Sequence, residues 1–242
     1  MSGSDAVFNW SGGKDSALAL HKIILDGAPQ IARLLTTVNE SVGRVSMHGV
    51  RTELLERQAE LIGIPLVQVK LPEMPDMLTY EEVMMEQLLK LTEEGIRTAV
   101  FGDIFLDDLR KYREEKLSAI GMNCLFPLWK SPTTTLVEEF IDLGFKAITV
   151  CVDERRLDRS FVGRLIDRSF IADLPPGVDP CGENGEYHSF VYDGPIFKEP
   201  IRLKKGEIVY RKYSKPRSES GGGGSSPDPF DTGFWYCDLL PY

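Results

Sequence analysis

Residues 8–18 read FNWSGGKDSAL, and the reading of this stretch decides the fold. The apolar run Ala6–Trp10 has the length and composition of a buried strand. It passes through Ser11-Gly12-Gly13-Lys14-Asp15-Ser16 into a helix expected over Ser16–Asp26. Two adjacent glycines let the backbone turn tightly and aim several N–H groups into one concavity. The first turn of the helix adds the positive end of its dipole. With the hydroxyls of Ser11 and Ser16 and the charge of Lys14, the segment forms an anion cradle suited to phosphate or pyrophosphate. A Walker loop is excluded, because Lys14 is followed by Asp15 and the Gly-x4-Gly-Lys spacing is missing. The Gly-x-Gly-x-x-Gly fingerprint is missing too.

Outward from this loop, apolar runs alternate with helical periodicity. Strands are expected at Arg33–Val38, Leu66–Val69 and Thr98–Phe101. Helices are expected at Arg51–Ile62, with Leu54, Leu55, Ala59 and Ile62 on one face, at Thr79–Thr92, with Val83, Leu88 and Leu91 inward, and at Asp108–Ile120. Such alternation predicts an α/β fold, a mainly parallel sheet with flanking helices, over a first domain of residues 1–127. Beyond Phe126-Pro127 the pattern is less regular. A helix at Thr135–Leu143, a strand at Ala147–Val152 and a helix at Arg159–Phe170 are expected, then a strand at Tyr187–Tyr192. A hairpin should join Ile201–Leu203 to Glu207–Arg211 across Lys204–Gly206. These elements define a smaller α+β domain over 128–213. Residues 214–242 read as a Gly/Ser linker followed by an aromatic tail, with Phe230, Phe234, Trp235, Tyr236, Leu239, Leu240 and Tyr242. Such a cluster is expected to dock, on its own body or on a second subunit of a homodimer; a frayed tail is the alternative.

Composition narrows the classes. The 242 residues are 42% hydrophobic and 27% charged, ordinary globular usage that excludes a disordered chain, a collagen-like fibre and a coiled-coil rod. A net charge of −9 argues against a nucleic-acid partner. No run approaches the roughly 18 apolar residues of a membrane span, and the N-terminus lacks a basic and then apolar leader, so a soluble, cytoplasmic protein is expected. The four cysteines form no CxxC pair and no zinc-spaced cluster with the three histidines, which reads them as buried or incidental thiols.

Two further segments bear on chemistry. Residues 182–189, GENGEYHS, bring two carboxylates and an imidazole onto a loop that enters a strand. If Glu186, His188 and Phe190 alternate along that strand, Glu186 and His188 share a face suited to acid–base work or to holding a polar substrate. Gly102-Asp103 sets a carboxylate at the C-terminal end of a parallel strand, where α/β sheets bind their ligands.

SGGKDS resembles the pyrophosphate-binding PP-loop, SGGxDS, of the N-type ATP pyrophosphatases. With MHGVRTELLERQAELIGIPL (47–66), GDI (102–104), Arg113 and Glu114, FPLW (126–129) and CGENGEYHSFVYDGPIF (181–197), the chain resembles the diphthine–ammonia ligase family over residues 6–203. The pattern of the family's eukaryotic and archaeal members is E-G-G-E-(Y/F)-E-(T/S), from which Asn184 and His188 depart; the acid acted on is left open.

The resemblance implies an ATP- and magnesium-dependent ligase. A carboxylate would be activated as its adenylate with release of pyrophosphate, and ammonia would displace AMP to form an amide. It implies that Ser11, Gly12, Gly13, Lys14, Asp15 and Ser16 hold the nucleotide, with Lys14 stabilising the departing pyrophosphate. Asp15 would serve as an indirect magnesium ligand and as the helix N-cap. Gly102 and Asp103 would complete the nucleotide site, Asp103 serving there or at the metal, with the base resting near Met47 and His48; Met47 serves equally well in a core. Glu183, Glu186 and His188 would surround the substrate or the ammonia. Arg113 would meet a phosphate or the substrate carboxylate, or stand solvated on its helix, and Trp129 would wall the substrate pocket or fill a core. Ammonia is expected from solution or another chain, since a fused glutaminase with an N-terminal nucleophile would need cysteine where Ser2 stands. A nucleotide-binding sensor without turnover and an RNA-modifying PP-loop enzyme are the competing readings.

Overall fold

β1 (Ala6–Asn9) is apolar through most of its length because both its faces are covered. Phe8 enters a core shared with α1 (Lys14–Asp26) and α2 (Thr52–Ile62). Its neighbour Val7 points the other way, into a core with α3 (Met77–Glu93) and α4 (Asp107–Ser118). In this computed structural model, which describes residues 5–45, 48–72, 75–213 and 232–242, five parallel strands form the main sheet. β2 (Ile31–Asn39) and β5 (Thr98–Val100) flank β1; β4 (Leu66–Leu71) lies beyond β2 and β6 (Asn123–Leu125) beyond β5. The two-residue strand β3 (Arg44–Val45) pairs antiparallel with the end of β2. The chain works outward from β1 through β2 and β4, then returns to the opposite side at β5. The order β4-β2-β1-β5-β6 therefore has its switch point between β1 and β5, above which such sheets open a crevice.

After α5 (Thr133–Asp142) the chain builds a smaller β-rich region. β7 (Lys146–Asp153), β8 (Tyr187–Asp193), β9 (Leu203–Tyr213) and β10 (Thr232–Pro241) form an antiparallel sheet in the order β8-β7-β10-β9. The aromatic tail docks on its own chain: Trp235 pairs with Val152 of β7 on one side and Tyr210 of β9 on the other. Phe230 and the expected linker over 214–229 lie outside the described residues. One core cluster runs from Phe8 and Leu18 through Val150 and Phe190 to Leu239, so the two sheets share a hydrophobic interior.

Two expected elements form differently. The helix expected over Arg159–Phe170 is only a 3-10 turn, Arg159–Phe161, and a short helix α6, Arg168–Ala172. Gly163 takes a left-handed φ of 78°, and the chain around it bonds to β7 through Gly163 N to Thr149 O, Thr149 N to Arg164 O and Ile166 N to Ala147 O. Asp167 then restarts the helix by accepting from Phe170 N at 2.8 Å. The expected hairpin at Lys204–Gly206 is one continuous strand, because β10 offers a partner along its whole length. Gly206 faces the register shift of that pairing, where a Cβ would stand 3.3 Å from Asp238 Cβ.

Asp238 ties this strand to the first sheet, accepting from Arg44 Nη1 at 2.9 Å and Arg51 Nη2 at 2.7 Å. Burial alone would raise its carboxyl, but the two guanidiniums overcome that and hold it below the ordinary range. A lowered carboxyl stabilises the fold above the unfolded value, and the contribution is lost as pH falls through the folded one. Asp238→Asn is expected to cost about 1 kcal/mol near neutral pH. Urea denaturation should find the difference shrinking as pH falls below the ordinary carboxylate range; a gap independent of pH would refute the ion-pair account.

Candidate functional site

The turn from β1 into α1 is shaped by what presses against it. Gly12 has φ 77° and a Cβ there would lie 2.7 Å from Gln58 Oε1; a Cβ at Gly13 would lie 3.2 Å from Ser189 O. Gly102, at the end of β5, comes so close that a Cβ would stand 3.1 Å from Ser16 N. Within the turn, Ser11 Oγ accepts from Gly13 N at 3.2 Å and sits 2.9 Å from Ser16 Oγ, which lies within 2.9 Å of Gly13 O.

Asp15 is not the helix cap. Gly13 holds that position, no side chain caps it, and Asp15 instead takes the Lys14 ammonium on both oxygens, at 2.9 and 2.7 Å. Lys14 also donates to Cys181 O and lies 5.1 Å from the centre of the Tyr187 ring. Burial opposes its charge, but Asp15, Tyr187 and Cys181 outweigh that, and the ammonium stays protonated with its pKa above the ordinary range. Its charge faces the seam with the 179–187 loop rather than standing free over the cradle. Lys14 N donates to Ser189 Oγ at 3.1 Å, so backbone and side chain both bind the loop to β8 and the segment before it.

Gln58 sets the back of the cradle. It is fully buried: its Nε2 donates to Gly12 O at 3.0 Å and Val191 O at 2.6 Å, while its Oε1 accepts from Trp10 Nε1 at 2.9 Å. Val191 N also donates to Gly12 O at 2.9 Å.

A cavity of about 490 Å³ opens above the switch point. Ser11, Gly13, Lys14, Asp15 and Ser16 line one wall, and Thr36 and Thr37 at the end of β2 line another. Gly102, Asp103 and Arg113 come from the other side of the switch point, and Glu183, Tyr187, His188 and Ser189 from the C-terminal region. Asp103 and Arg113 form an ion pair, Oδ2 to Nε 2.7 Å, with the guanidinium 4.2 Å from the centre of the Phe101 ring. Arg113 thus reaches the cavity as a partner of Asp103. His188 stacks on His48 with ring centres 4.6 Å apart. Burial and then Lys14 bring His188 down to about 4, and burial and then His188 hold His48 well below its ordinary value, so both rings are neutral at pH 7.

Glu183 and Glu186 part company. Glu183 lines the cavity and accepts from Ile104 N at 2.7 Å. Glu186 precedes β8 rather than alternating within it, and does not line the cavity. It is 1% exposed; Oε1 accepts from Asp179 N and Asn184 Nδ2, and Oε2 from Asn184 N. That carboxylate braces the loop from behind. Trp129 also lies away from the cavity: it follows edge strand β6 and packs on Phe126 and beneath the Arg110 guanidinium. Met47 lies outside the described residues. Sequence reasoning missed Gln58, Ser189 and Tyr187. For Gln58 a signal existed, an amide four residues after Leu54 on an otherwise apolar stripe.

Burial pushes the Glu183 carboxyl up to about 7. A carboxyl raised by folding favours the fold in its protonated form; that contribution is present below the unfolded value and is lost as pH rises through about 7. Glu183→Gln is therefore expected to gain stability relative to wild type between pH 5 and pH 8. Paired urea titrations would read this, and a constant difference would contradict it.

Fold and site together define a mixed α/β architecture, a mostly parallel sheet with flanking helices and a smaller β-rich region closing over the 11–16 loop. Residues 4–124 match the model of the diphthamide synthase N-terminal domain and residues 132–215 that of its C-terminal domain. The chain belongs to the diphthine–ammonia ligase family. It is 31% identical to the diphthine–ammonia ligase of Bos taurus and 30% to that of Homo sapiens, each over 130 residues, covering 51% of this chain and 49% of theirs. The Schizosaccharomyces pombe ligase is 26% identical over 219 residues, 82% of this chain and 36% of that protein. The chain thus spans about half, or less, of these relatives' length. Among solved structures, a predicted subunit of a tRNA methyltransferase from Methanocaldococcus jannaschii aligns with TM-score 0.38 and 16% identity over 59% of this chain and 77% of that one. A U34-tRNA thiolase from Methanococcus maripaludis aligns with TM-score 0.36 and 19% identity over 58% of this chain and 57% of its own. No described helix is long and apolar enough to cross a membrane.

Proposed function

We propose that this chain uses ATP to adenylate a carboxylate, releasing pyrophosphate, and then amidates it with ammonia. The observation that carries this reading is the facing of the Gly13–Ser16 turn and Glu183 across one cavity, from opposite halves of the chain. A carboxylate oxygen is a poor leaving group at neutral pH; joined to AMP it becomes a good one. The carboxylate attacks the α-phosphorus and pyrophosphate departs into the cradle, where backbone N–H groups and the α1 dipole stabilise the growing charge. Glu183, with its carboxyl near 7, takes a proton from ammonium. The freed ammonia attacks the acyl carbon, the attacking nitrogen sheds a second proton to solvent, and AMP leaves. The neutral His48–His188 stack keeps further positive charge away from that step.

Asp15 and Asp103 line the cavity, each already facing one cation, and no group of three or more ligating side chains occurs among the described residues. That set suits a hydrated magnesium ion carried in by phosphates better than an all-protein cage. When bound, the ion would offset phosphate charge beside these two carboxylates.

The test follows α-labelled ATP with magnesium, ammonium and a cell extract supplying the acid. AMP and pyrophosphate, dependent on the extract, are expected. ADP and phosphate would overturn the reading, and saturable ATP binding without products would favour a sensor.

A further inference from the structure

A second cavity of about 80 Å³ opens between α3 and α4. It meets the larger one at the C-terminal edge of the sheet, and the two share Asn9, Tyr80, Met84, Phe101 and Arg113. Its inner wall is apolar: Met84, Met85, Leu88, Phe101 and Leu117. Its charged residues are already paired. Glu81 accepts from Tyr112 Oη at 2.9 Å and from Lys116 Nζ at 2.7 Å, and Arg113 is paired with Asp103. A recess with an apolar inner wall and its charged groups already paired favours an apolar guest, and two methionines let it fit varied shapes.

The nucleotide base is a poor match. Its ring nitrogens and amine need partners, which the end of β2 at Thr36 and Thr37 can supply inside the larger cavity. The remaining reactant of the proposed reaction is the acid. Its carboxylate must reach the nucleotide in the larger cavity, while the rest of the molecule has to lie somewhere continuous with it. We propose that the recess between α3 and α4 is the subsite for a short apolar arm of the carboxylate substrate. This rests on the ligase reading of the larger cavity, and it names the substrate class as acids with an uncharged aliphatic or aryl arm.

The probes are acetate, butyrate, hexanoate and decanoate, titrated calorimetrically into the protein saturated with α,β-methylene-ATP. Affinity is expected to rise about fourfold per methylene while the arm fits, and then to level off. Met85→Trp, at a position lining only the recess, should abolish that rise while the ATP analogue still binds; circular dichroism checks that the variant is folded. Leu88→Ala should move the plateau to a longer acid. Equal affinity for all four acids, or an unchanged rise in folded Met85→Trp, would overturn the proposal. AMP and pyrophosphate formation is scored separately. A rise with chain length but no AMP from any acid would refute the ligase reading and leave the subsite standing. AMP formation with no preference for chain length would do the reverse.

Discussion

Gln58→Glu is expected to destabilise the protein by about 4 kcal/mol, although it exchanges one nitrogen for one oxygen. The amide donates to the carbonyls of Gly12 and Val191 and accepts from the Trp10 indole, all in a fully buried position. A carboxylate would turn oxygen toward two carbonyl oxygens and bring a charge with no cation in contact. Protonation would recover one of the two donated bonds, so the loss should be smaller at pH 4 than at pH 8. Gln58→Leu, with no charge, should cost less than Glu at pH 8. Urea denaturation of both variants checks this; a Gln58→Glu protein as stable as wild type would mean the amide does not join the two sheets.

Gly12→Ala is expected to act on function more than on folding. A left-handed backbone costs a residue with a Cβ roughly 1–2 kcal/mol, and here the methyl group also presses on Gln58 Oε1, 2.7 Å away. The turn can relieve that contact only by shifting the N–H groups that form the anion cradle. Thermal denaturation should report a loss of about 2 kcal/mol, while affinity for ATP should fall more than tenfold. Unchanged ATP affinity would disconnect the loop from the nucleotide.

The part of the fold that could be read from sequence is the part whose information is local. Phe8–Leu18 holds a strand, a turn and a helix start within eleven residues, and the alternation that follows supplies the parallel sheet. What escaped depended on distant partners. Gly163 breaks a helical pattern because β7 captures the residues around it. Residues 203–213 run straight because β10 lies alongside. The site divides in the same way. The cradle was visible in its glycines, and Asp103, Glu183 and His188 do line the cavity. The roles of Lys14, Asp15 and Glu186 were harder to read, since each side chain is held by groups that only folding brings near. Gln58 illustrates the limit: a helix pattern marks it as an oddity, yet nothing in it names Trp10, Gly12 or Val191.

β10 pairs with β7 and β9 at once and lies outside both segments matched by the family models. During vectorial synthesis this has a consequence in time. The parallel sheet can pair all its strands once β6 has left the ribosome, but β7 must wait with one edge bare until Phe234–Tyr236 emerge. Through that interval it offers unpaired N–H and C=O groups flanked by apolar side chains, the template on which a neighbouring chain can add a strand. The late strand therefore closes that edge only once it has itself been synthesised, and growth temperature and chaperone supply should govern the yield of soluble protein when β10 is weakened.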